Sequence, residues 1–349
     1  MEQAKFILSK KVLSEQVKKL HDLGLEISYS YKTNRVVGEV LQQNNEEVDF
    51  SIHAHEEIDQ IDDKGKIWFF LQAESEEEIK KLLKQNIRKF VIDNEVDLAQ
   101  LIKVIKRENV KITLSLRMKF QEHRIGTGKY FVYGLSSSKV NELILQLKDN
   151  PFISSLGVHL HRKSQNLSEW EILGEIKESL KEEVISQIDF VNLGGGLPAC
   201  YISMNGKVFD YIFSKIQETT SWLAQRNIKT IIEPGRFLAA PCIKLVTEII
   251  QKYDSNLIIN TSVYKCAIDS ILTETKMLVE GELGEKEEGN FFLIKGNSPT
   301  RDDIFRYKVK LNSKIQVGDK IVFLNAGAYN YSSDFFGYSP LKTEIKEDF

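Results

Sequence analysis

One lysine stands where a strand pattern ends, a position that could carry covalent chemistry. In residues 26–31 apolar and polar side chains alternate, and the alternation stops at Lys32. A lysine that faces a crowded mouth instead of open solvent has a lowered pKa and can form a Schiff base with an aldehyde cofactor. For this stretch alone, the alternative is an ordinary solvated lysine at a strand end. Residues further along the chain decide between the two.

Two later stretches could hold an anionic, aromatic cofactor. The consecutive glycines Gly194, Gly195 and Gly196 give backbone N–H groups room to converge on a phosphate, although a tight turn is the alternative. Arg236 can hold a phosphate through two hydrogen bonds. Glu233, three residues earlier, could pair with a protonated ring nitrogen. The alternative for these two residues is a local ion pair.

A histidine completes the set of candidate residues. His161 follows the candidate strand 156–160, and its flat ring could lie against an aromatic ring, although a lone histidine at a strand end is more often structural. Pyridoxal phosphate needs a Schiff-base lysine, a phosphate anchor and a partner that keeps its pyridine nitrogen protonated. The combined residues therefore predict pyridoxal phosphate as the cofactor, with Lys32, His161 and Glu233 as catalytic residues.

Eight strand-like segments must position these side chains. They alternate with amphipathic helical segments, which begin at signals such as the capping box Ser75–Glu78 and the cap residue Asn94. This alternation predicts an α/β fold, a parallel (β/α)8 barrel of the TIM type, in which active-site residues lie at the carboxyl ends of the strands. The candidate strands are residues 26–31, 48–52, 67–72, 88–92, 111–117, 156–160, 188–193 and 229–233.

The pattern changes after about residue 240, where helical periodicity becomes rare. Short apolar runs such as 244–250 and 320–324 are joined by Gly-Asp and Ala-Gly turns, which predicts a C-terminal antiparallel β domain. We therefore predict a cofactor-binding barrel over residues 10–238 and a β-sandwich or barrel-like domain over residues 239–349. Whether residues 1–9 contribute to the second domain is left open.

Composition and charge exclude several classes of function. Charged residues make up 28% of the chain and apolar residues 42%, as in soluble globular enzymes. The net charge of −3 gives no reason to expect a nucleic-acid or membrane partner, and no stretch is typical of a signal peptide or a membrane span. The three cysteines lack the spacing of a metal or redox site and are typical of reduced thiols in a cytoplasmic protein. Of the six histidines, only His53/His55 and His159/His161 are close, at the i, i+2 spacing of a strand, so we predict no metal site.

In order, and over nearly the whole chain, these stretches resemble the motifs of the barrel-fold pyridoxal-phosphate decarboxylases. That family includes ornithine, diaminopimelate, arginine and carboxynorspermidine decarboxylases. The segment Tyr-Ser-Tyr-Lys-Thr-Asn resembles its Schiff-base motif, and 157–165 resembles the motif of its ring-stacking histidine. Residues 193–198 resemble its glycine loop, 233–236 are its Glu-Pro-Gly-Arg, and 326–329 resemble its Gly-Ala-Tyr motif. The resemblance implies that the cofactor is bound by Lys32, His161, Ser164, Gly194, Gly195, Gly196, Glu233, Gly235, Arg236 and Tyr329.

The chain departs from the family where the family binds its substrate. Relatives carry a Gly-Pro-x-Cys-acid-x-x-Asp motif that reaches across a dimer interface, whereas residues 296–303 here read Gly-Asn-Ser-Pro-Thr-Arg-Asp-Asp. Asp303 keeps the last acid, but Pro299 replaces the cysteine that protonates the product, and Thr300 replaces the acid that binds the substrate. Glu274 is the nearest equivalent of an acid that binds the distal amine, and Phe335 belongs to a C-terminal aromatic element. The resemblance therefore implies Glu274, Thr300, Asp303 and Phe335 as substrate residues.

These departures shape the expected function. The main expectation is a homodimeric, cytoplasmic decarboxylase that converts an amino acid or a derivative into an amine and carbon dioxide. Thr300 argues against a substrate gripped by a distal ammonium, and Arg162 with Lys163 hints at an acidic or carrier-linked substrate, the alternative being a solvated basic turn. Two alternatives stay open: a non-catalytic regulatory homologue, which the loss of the cysteine and the acid favours, and an amino-acid racemase, which shares the cofactor and the barrel.

Overall fold

The structure, a computed structural model, describes residues 2–44, 46–119, 133–163, 165–202, 206–330 and 337–349. Its internal contacts divide the chain into two compact units. The barrel unit comprises Val17–Leu197 and Lys207–Gly235, and the sheet unit comprises Met1–Gln16, Pro198–Gly206 and Arg236–Phe349. Within the described ranges, no helix is long and apolar enough to cross a membrane.

The strands of the described residues are numbered in chain order. They are β1 (Lys5–Ser9), β2 (Glu26–Ser30), β3 (Val48–Ile52), β4 (Ile67–Phe70), β5 (Lys89–Ile92), β6 (Ile112–Arg117), β7 (Ile153–His159), β8 (Phe190–Asn192), β9 (Lys229–Ile232), β10 (Ile243–Tyr253), β11 (Asn256–Ile259), β12 (Leu278–Val279), β13 (Asn290–Lys295), β14 (Ile304–Leu311), β15 (Lys320–Leu324) and β16 (Thr343–Lys346).

The α-helices are numbered in the same way, and two short 3₁₀ turns, Tyr31–Thr33 and Lys64–Lys66, lie between them. The helices are α1 (Lys10–His21), α2 (Arg35–Gln43), α3 (His55–Ile58), α4 (Glu76–Lys84), α5 (Glu95–Glu108), α6 (Ser137–Leu147), α7 (Ile172–Ser179), α8 (Glu182–Ile185), α9 (Val208–Ala224), α10 (Arg236–Ala239), α11 (Val263–Cys266) and α12 (Asp269–Leu272).

Strands β2 to β9 form a closed parallel barrel in sequence order, which confirms the predicted fold of this region. The barrel closes where β2 pairs with β9, with Ile27 opposite Ile232. Its interior includes a cluster of buried apolar side chains, and this layer fills the barrel as in other barrels of this class. The cluster consists of Trp68, Val91, Phe190 and Ile231, against which Phe70 packs.

Two helices of the barrel unit, α4 and α5, begin where the sequence predicts. The Ser75 hydroxyl accepts a hydrogen bond from the Glu78 backbone N–H, and the Glu78 carboxylate accepts one from the Ser75 N–H, so the capping box opens α4. Asn94 caps α5 in the same way, by accepting from the Asp97 N–H. Val96, in the first turn of α5, is 78% exposed.

The sheet unit is mostly antiparallel, as predicted for the C-terminal domain. Six strands lie in the order β12-β15-β10-β11-β13-β14, and β1 pairs with both β10 and β16. Two pairs, β1 with β16 and β11 with β13, are parallel. The segment before the barrel is therefore part of this sheet, while the bounds 10–238 and 239–349 stay our proposal for the two domains.

Candidate active site

Lys32 lies on the 3₁₀ turn that directly follows β2, at the carboxyl end of the barrel. The turn is anchored on both sides: the Ser30 N–H donates to the Pro234 carbonyl, and Asn34 caps helix α2. A Cβ built on Gly235 would approach the Thr33 hydroxyl to 2.2 Å, so only glycine allows this close packing. The turn that carries Lys32 thus rests on the Glu-Pro-Gly segment after β9.

The side chains of Lys32, His53 and His161 are accessible to water, yet each is crowded by protein. Burial lowers the pKa of Lys32, while Glu233 and Glu57 act in the opposite direction. Burial, reinforced by neighbouring cations, lowers the pKa of His161 and of His53 to about 3. Side chains that water reaches but protein surrounds line a hollow. The barrel mouth is therefore concave, with a reactive amine and two neutral imidazoles on its wall.

Glu233 follows β9 and is buried in a hydrogen-bonded network. Its Oε1 accepts from the Ser51 hydroxyl at 3.0 Å and from the Asn192 amide at 2.9 Å. Its Oε2 lies 3.0 Å from Nε2 of His159. Burial raises the pKa of Glu233, but the contacts with His159 and Asn192 outweigh it and lower the pKa to about 2. Glu233 is therefore an anion at neutral pH.

The sequence did not identify two residues of this site, Arg117 and His159. Arg117 ends β6 and opposes His159 in the register of β6 with β7. Burial lowers the pKa of the Arg117 guanidinium, whereas the Glu233 carboxylate acts in the opposite direction. The two residues therefore lie close enough to interact electrostatically. Arg117 could have been found by the strand-end rule that identified Lys32. His159 could have been found from its i, i+2 spacing to His161, because alternate residues of a strand share a face.

The glycine loop after β8 adopts the backbone conformations that its sequence predicts. Gly194 and Gly196 have φ values of +67° and +113°. The Gly194 N–H donates to the Asn192 side chain, and the Gly194 carbonyl accepts from the Glu233 N–H at 2.9 Å. Within the described residues, the N–H groups of Gly195 and Gly196 have no hydrogen-bond partner, so they remain available to an anion.

Two alanine substitutions in this loop should differ in their effect on the stability of the fold. A Cβ on Gly194 would lie 1.9 Å from the Leu160 carbonyl oxygen, at a positive φ. We expect Gly194→Ala to lower the free energy of unfolding by more than about 2 kcal/mol. A Cβ on Gly195 would lie 3.4 Å or more from its nearest neighbours, so Gly195→Ala should melt like the wild type. Thermal melting of both variants checks this, and equal melting temperatures for the two would contradict it.

In the sheet unit, Arg236 begins α10 and is held by a carboxylate that the sequence did not identify. Its Nη1 lies 2.7 Å from Oδ2 of Asp269 and its Nη2 lies 3.2 Å from Oδ1, so the pair is bidentate. Nη1 also donates to the Tyr201 hydroxyl at 2.9 Å. The Tyr329 ring lies 5.1 Å from the guanidinium carbon. The carboxylate that pairs with Arg236 lies 33 residues further along the chain.

Loss of the Asp269 carboxylate should destabilise the sheet unit. Only 3% and 6% of the Arg236 and Asp269 side chains are exposed, so Asp269→Asn leaves a buried guanidinium without its charge partner. We expect a loss of about 3 kcal/mol, as for other buried pairs that lose one member. Asp302→Asn is the matched control, because the Arg301–Asp302 pair is 95% and 64% exposed and should contribute less than about 1 kcal/mol. Denaturant unfolding measures both, and a similar midpoint for the two variants would refute a stabilising role of the pair.

In the loop 296–303, the acid that matches the family motif, Asp303, forms hydrogen bonds within the protein. Asp303 is 1% exposed and accepts from the Val263 N–H at 2.8 Å and from the Ser298 N–H at 2.9 Å. The Ser298 hydroxyl, which also donates to Asp303, lies 2.7 Å from the Thr300 hydroxyl. Asp303 therefore shapes the loop that carries Thr300. A direct substrate role for either residue stays a prediction.

The other predicted substrate and cofactor residues are placed as follows. Glu274 is exposed, in the sheet unit, with φ +57°. Ser164 and Phe335 lie outside the described residues. Arg162 is not part of a solvated turn: it is fully buried, its Nε donates to the Glu169 carbonyl, and Trp170 packs against its guanidinium. Of the two cations in this motif, only Lys163 is exposed.

The barrel unit thus brings together several of the residues predicted from the sequence. Lys32, His161, Glu233 and the loop 194–196 all lie at the carboxyl ends of barrel strands. Their chemistry fits pyridoxal phosphate: an accessible amine with a lowered pKa, a buried carboxylate, flat neutral rings and available N–H groups. Arg236, Tyr329, Glu274, Thr300 and Asp303 belong to the sheet unit.

Comparisons with known proteins agree with this chemistry. Residues 10–240, more than half of the chain, match the family described as "Pyridoxal-dependent decarboxylase, pyridoxal binding domain". A diaminopimelate decarboxylase of Staphylococcus aureus (strain COL) is 26% identical over 365 residues, which cover 92% of this chain and 82% of that protein. One from Campylobacter jejuni is 25% identical over 296 residues, covering 76% of this chain and 69% of that protein.

Solved structures share the fold. The lysine decarboxylase of Selenomonas ruminantium superposes with a TM-score of 0.81 at 16% identity, covering 100% of this chain and 94% of that one. The lysine/ornithine decarboxylase of Vibrio vulnificus, complexed with putrescine, gives a TM-score of 0.77 at 18% identity, covering 99% and 95%. At these identities the likeness establishes the architecture and leaves the substrate open.

Proposed function

The chain belongs to the pyridoxal-dependent decarboxylases, whose cofactor is pyridoxal phosphate, and from this membership we propose that it converts an amino acid or amino-acid derivative into an amine and carbon dioxide. The observation that carries the proposal is the meeting of Lys32, His161 and Glu233 in one hollow of the barrel unit. A racemase would share the barrel and the cofactor, but the family match favours the decarboxylase.

Each residue of the hollow has a proposed role. Lys32 would hold the cofactor covalently through its side-chain amine. The bound cofactor supplies an acceptor for the electron pair that remains when carbon dioxide leaves. Glu233 stabilises a proton on the ring nitrogen, because it is an anion at neutral pH. The neutral ring of His161 would pack against the cofactor ring, and the N–H groups of Gly195 and Gly196 would bind the phosphate.

The remaining cofactor residues are proposed from the family resemblance. They are Ser164, Gly235, Arg236 and Tyr329. Gly235 contributes through the backbone, since its packing against Thr33 fixes the turn that carries Lys32. Arg236 would bring a guanidinium already held by Asp269, which fixes its orientation.

The substrate is proposed to lack a simple distal ammonium. Ammonium groups are bound by carboxylates; of the two acids in the loop 296–303, Asp303 is already occupied by Ser298 and Val263, and Asp302 is paired with the neighbouring Arg301. Thr300 offers a hydroxyl at the position where relatives carry an acid. Binding of an acidic or carrier-linked substrate would then depend on Lys163, because Arg162 is buried. For the proton returned to the product, the candidates in place of the cysteine replaced by Pro299 are water, the released Lys32 amine or a residue that the sequence does not identify.

A substrate screen tests the function. Purified protein is loaded with pyridoxal phosphate and incubated separately with lysine, ornithine, arginine, meso-diaminopimelate and acidic amino acids, and carbon dioxide release is measured. We expect release with at least one substrate and a weak response to lysine and ornithine. If the protein binds the cofactor but releases carbon dioxide from none of them, while it alters the activity of a related decarboxylase, the regulatory homologue is the better description.

The lowered pKa of Lys32 predicts how cofactor capture depends on pH. Only the unprotonated amine attacks an aldehyde, and burial shifts Lys32 toward that form. The rate of covalent capture should therefore rise with pH and level off below about 10.4, the value of an ordinary lysine. Stopped-flow absorbance measures the pH at which the capture rate is half-maximal, for the protein and for free Nα-acetyl-lysine as the reference. Coinciding midpoints would show that the hollow does not activate the amine.

We also propose that the working unit is a cytoplasmic homodimer, as the resemblance implies. Sedimentation velocity with and without the cofactor tests it, and an active monomer would disprove it.

A further inference from the structure

We propose that His159 is a positioning residue for Glu233: its Nε2–H holds Oε2 of the carboxylate and thereby fixes the group that pairs with the cofactor ring nitrogen. This inference rests on the proposed function, since it concerns the same hollow. His159 itself need not touch the cofactor, so its role is exerted through Glu233.

The two oxygens of Glu233 are held unequally. Oε1 accepts two hydrogen bonds, from Ser51 and Asn192, and Ser51 is itself hydrogen-bonded to Ser28 at 2.7 Å. Among the described residues, Oε2 has one hydrogen-bond partner, Nε2 of His159. Removing Ser51 therefore leaves Oε1 with a donor, whereas removing His159 leaves Oε2 with none. The position of Oε2 depends on a single side chain.

The surroundings of His159 favour one tautomer. Its Nδ1 is fully buried and has no hydrogen-bond partner among the described residues. Nε2 lies 3.0 Å from Oε2 of Glu233, an anionic oxygen that can only accept a hydrogen bond. A proton on Nε2 makes this hydrogen bond, whereas a ring with its proton on Nδ1 alone would set two acceptors against each other.

Packing holds the imidazole in this orientation. The Phe70 ring meets His159 edge-on at 5.2 Å, and the His161 ring lies parallel to it at 6.4 Å. Phe70 is in turn stacked on His53 at 4.4 Å. A donor whose ring is fixed on two sides loses little entropy when it bonds the carboxylate, as expected of preorganised support for a site.

The test compares variants that keep and that remove the donor. His159→Phe keeps a flat ring without the N–H, and His159→Gln places an amide N–H near the former Nε2. Ser51→Ala removes one of the two donors to Oε1. Ser115→Ala is the control, because Ser115 is buried in the neighbouring strand β6 and its hydroxyl has no hydrogen-bond partner in the described part of the chain.

The first readout needs no cofactor. In apo protein labelled with ¹⁵N-histidine, NMR should place the His159 proton on Nε2, and the Nε2 signal should shift in Glu233→Gln. A proton on Nδ1, or no shift in Glu233→Gln, would overturn the proposal.

The second readout is the affinity for pyridoxal phosphate, measured by fluorescence quenching. Loss of a hydrogen bond to a charged group predicts that His159→Phe binds roughly 10-fold to 100-fold more weakly. His159→Gln should recover most of this loss, Ser51→Ala should lose less than His159→Phe, and Ser115→Ala should bind like the wild type. If His159→Phe folds and binds pyridoxal phosphate like the wild type, this inference is refuted, while the proposed function is unaffected. If the wild type does not bind the cofactor, the proposed function fails and this inference fails with it.

Discussion

Replacing Lys32 by alanine should abolish covalent capture of pyridoxal phosphate and lower the decarboxylation rate by roughly three orders of magnitude or more, the scale on which loss of a covalent catalytic group is felt. Lys32 combines accessibility, a lowered pKa and a position on a turn packed against Gly235. Because its side chain lines the hollow at the barrel mouth and is accessible to water, its removal creates no cavity in the core. The variant should therefore fold and melt like the wild type.

The measurement is the mass of the protein after borohydride reduction in the presence of the cofactor, followed by peptide mapping. Lys276 provides the internal control, because burial also lowers its pKa, although it lies in the sheet unit. The reduced adduct should map to Lys32, should be absent from Lys276, and should disappear in Lys32→Ala but persist in Lys276→Ala. Full turnover by Lys32→Ala would show that covalent attachment is not needed.

Replacing Glu233 by glutamine should lower the turnover number by about 10²-fold to 10³-fold, as for other preorganised groups that stabilise developing charge. Glutamine keeps an oxygen that can accept from Ser51 and Asn192, so the network around the former Oε1 is preserved. It cannot carry the negative charge that stabilises a proton on the ring nitrogen. We therefore expect the effect mainly on turnover and on the absorption spectrum of the loaded protein. The melting temperature should also fall, because the amide N–H that replaces Oε2 faces Nε2 of His159.

Glu57→Gln is the matched control for Glu233→Gln. Glu57 also lies near Lys32, but its carboxylate accepts from the His53 and Ala54 backbone N–H groups, and burial raises its pKa. Its replacement removes a charge from the same hollow without removing the proposed partner of the ring nitrogen. Steady-state kinetics of both variants separates the two roles. Equal losses would show that general electrostatics, and not the specific pairing by Glu233, governs the rate.

Much of the fold follows from patterns that are local in the sequence. Alternating short apolar runs and amphipathic segments predict the parallel barrel, because each strand and helix must bury its own apolar face. The capping box at Ser75–Glu78 and the cap at Asn94 mark helix starts through hydrogen bonds that span only three residues. The strand-end rule then places Lys32, His161 and Glu233 at one end of the barrel, since parallel strands share a direction.

The partners of these residues were decided by the tertiary structure. Glu233 meets His159 across 74 residues, and Arg236 meets Asp269 across 33, so no local spacing predicts either contact. In the sequence Arg162 is adjacent to Lys163 and suggests an exposed basic pair, but in the folded protein Arg162 is buried against Trp170. The physical reason is the same in each case. Periodicity fixes which face of an element is buried, whereas the choice of a hydrogen-bond partner depends on barrel closure, strand register and the paths of the loops.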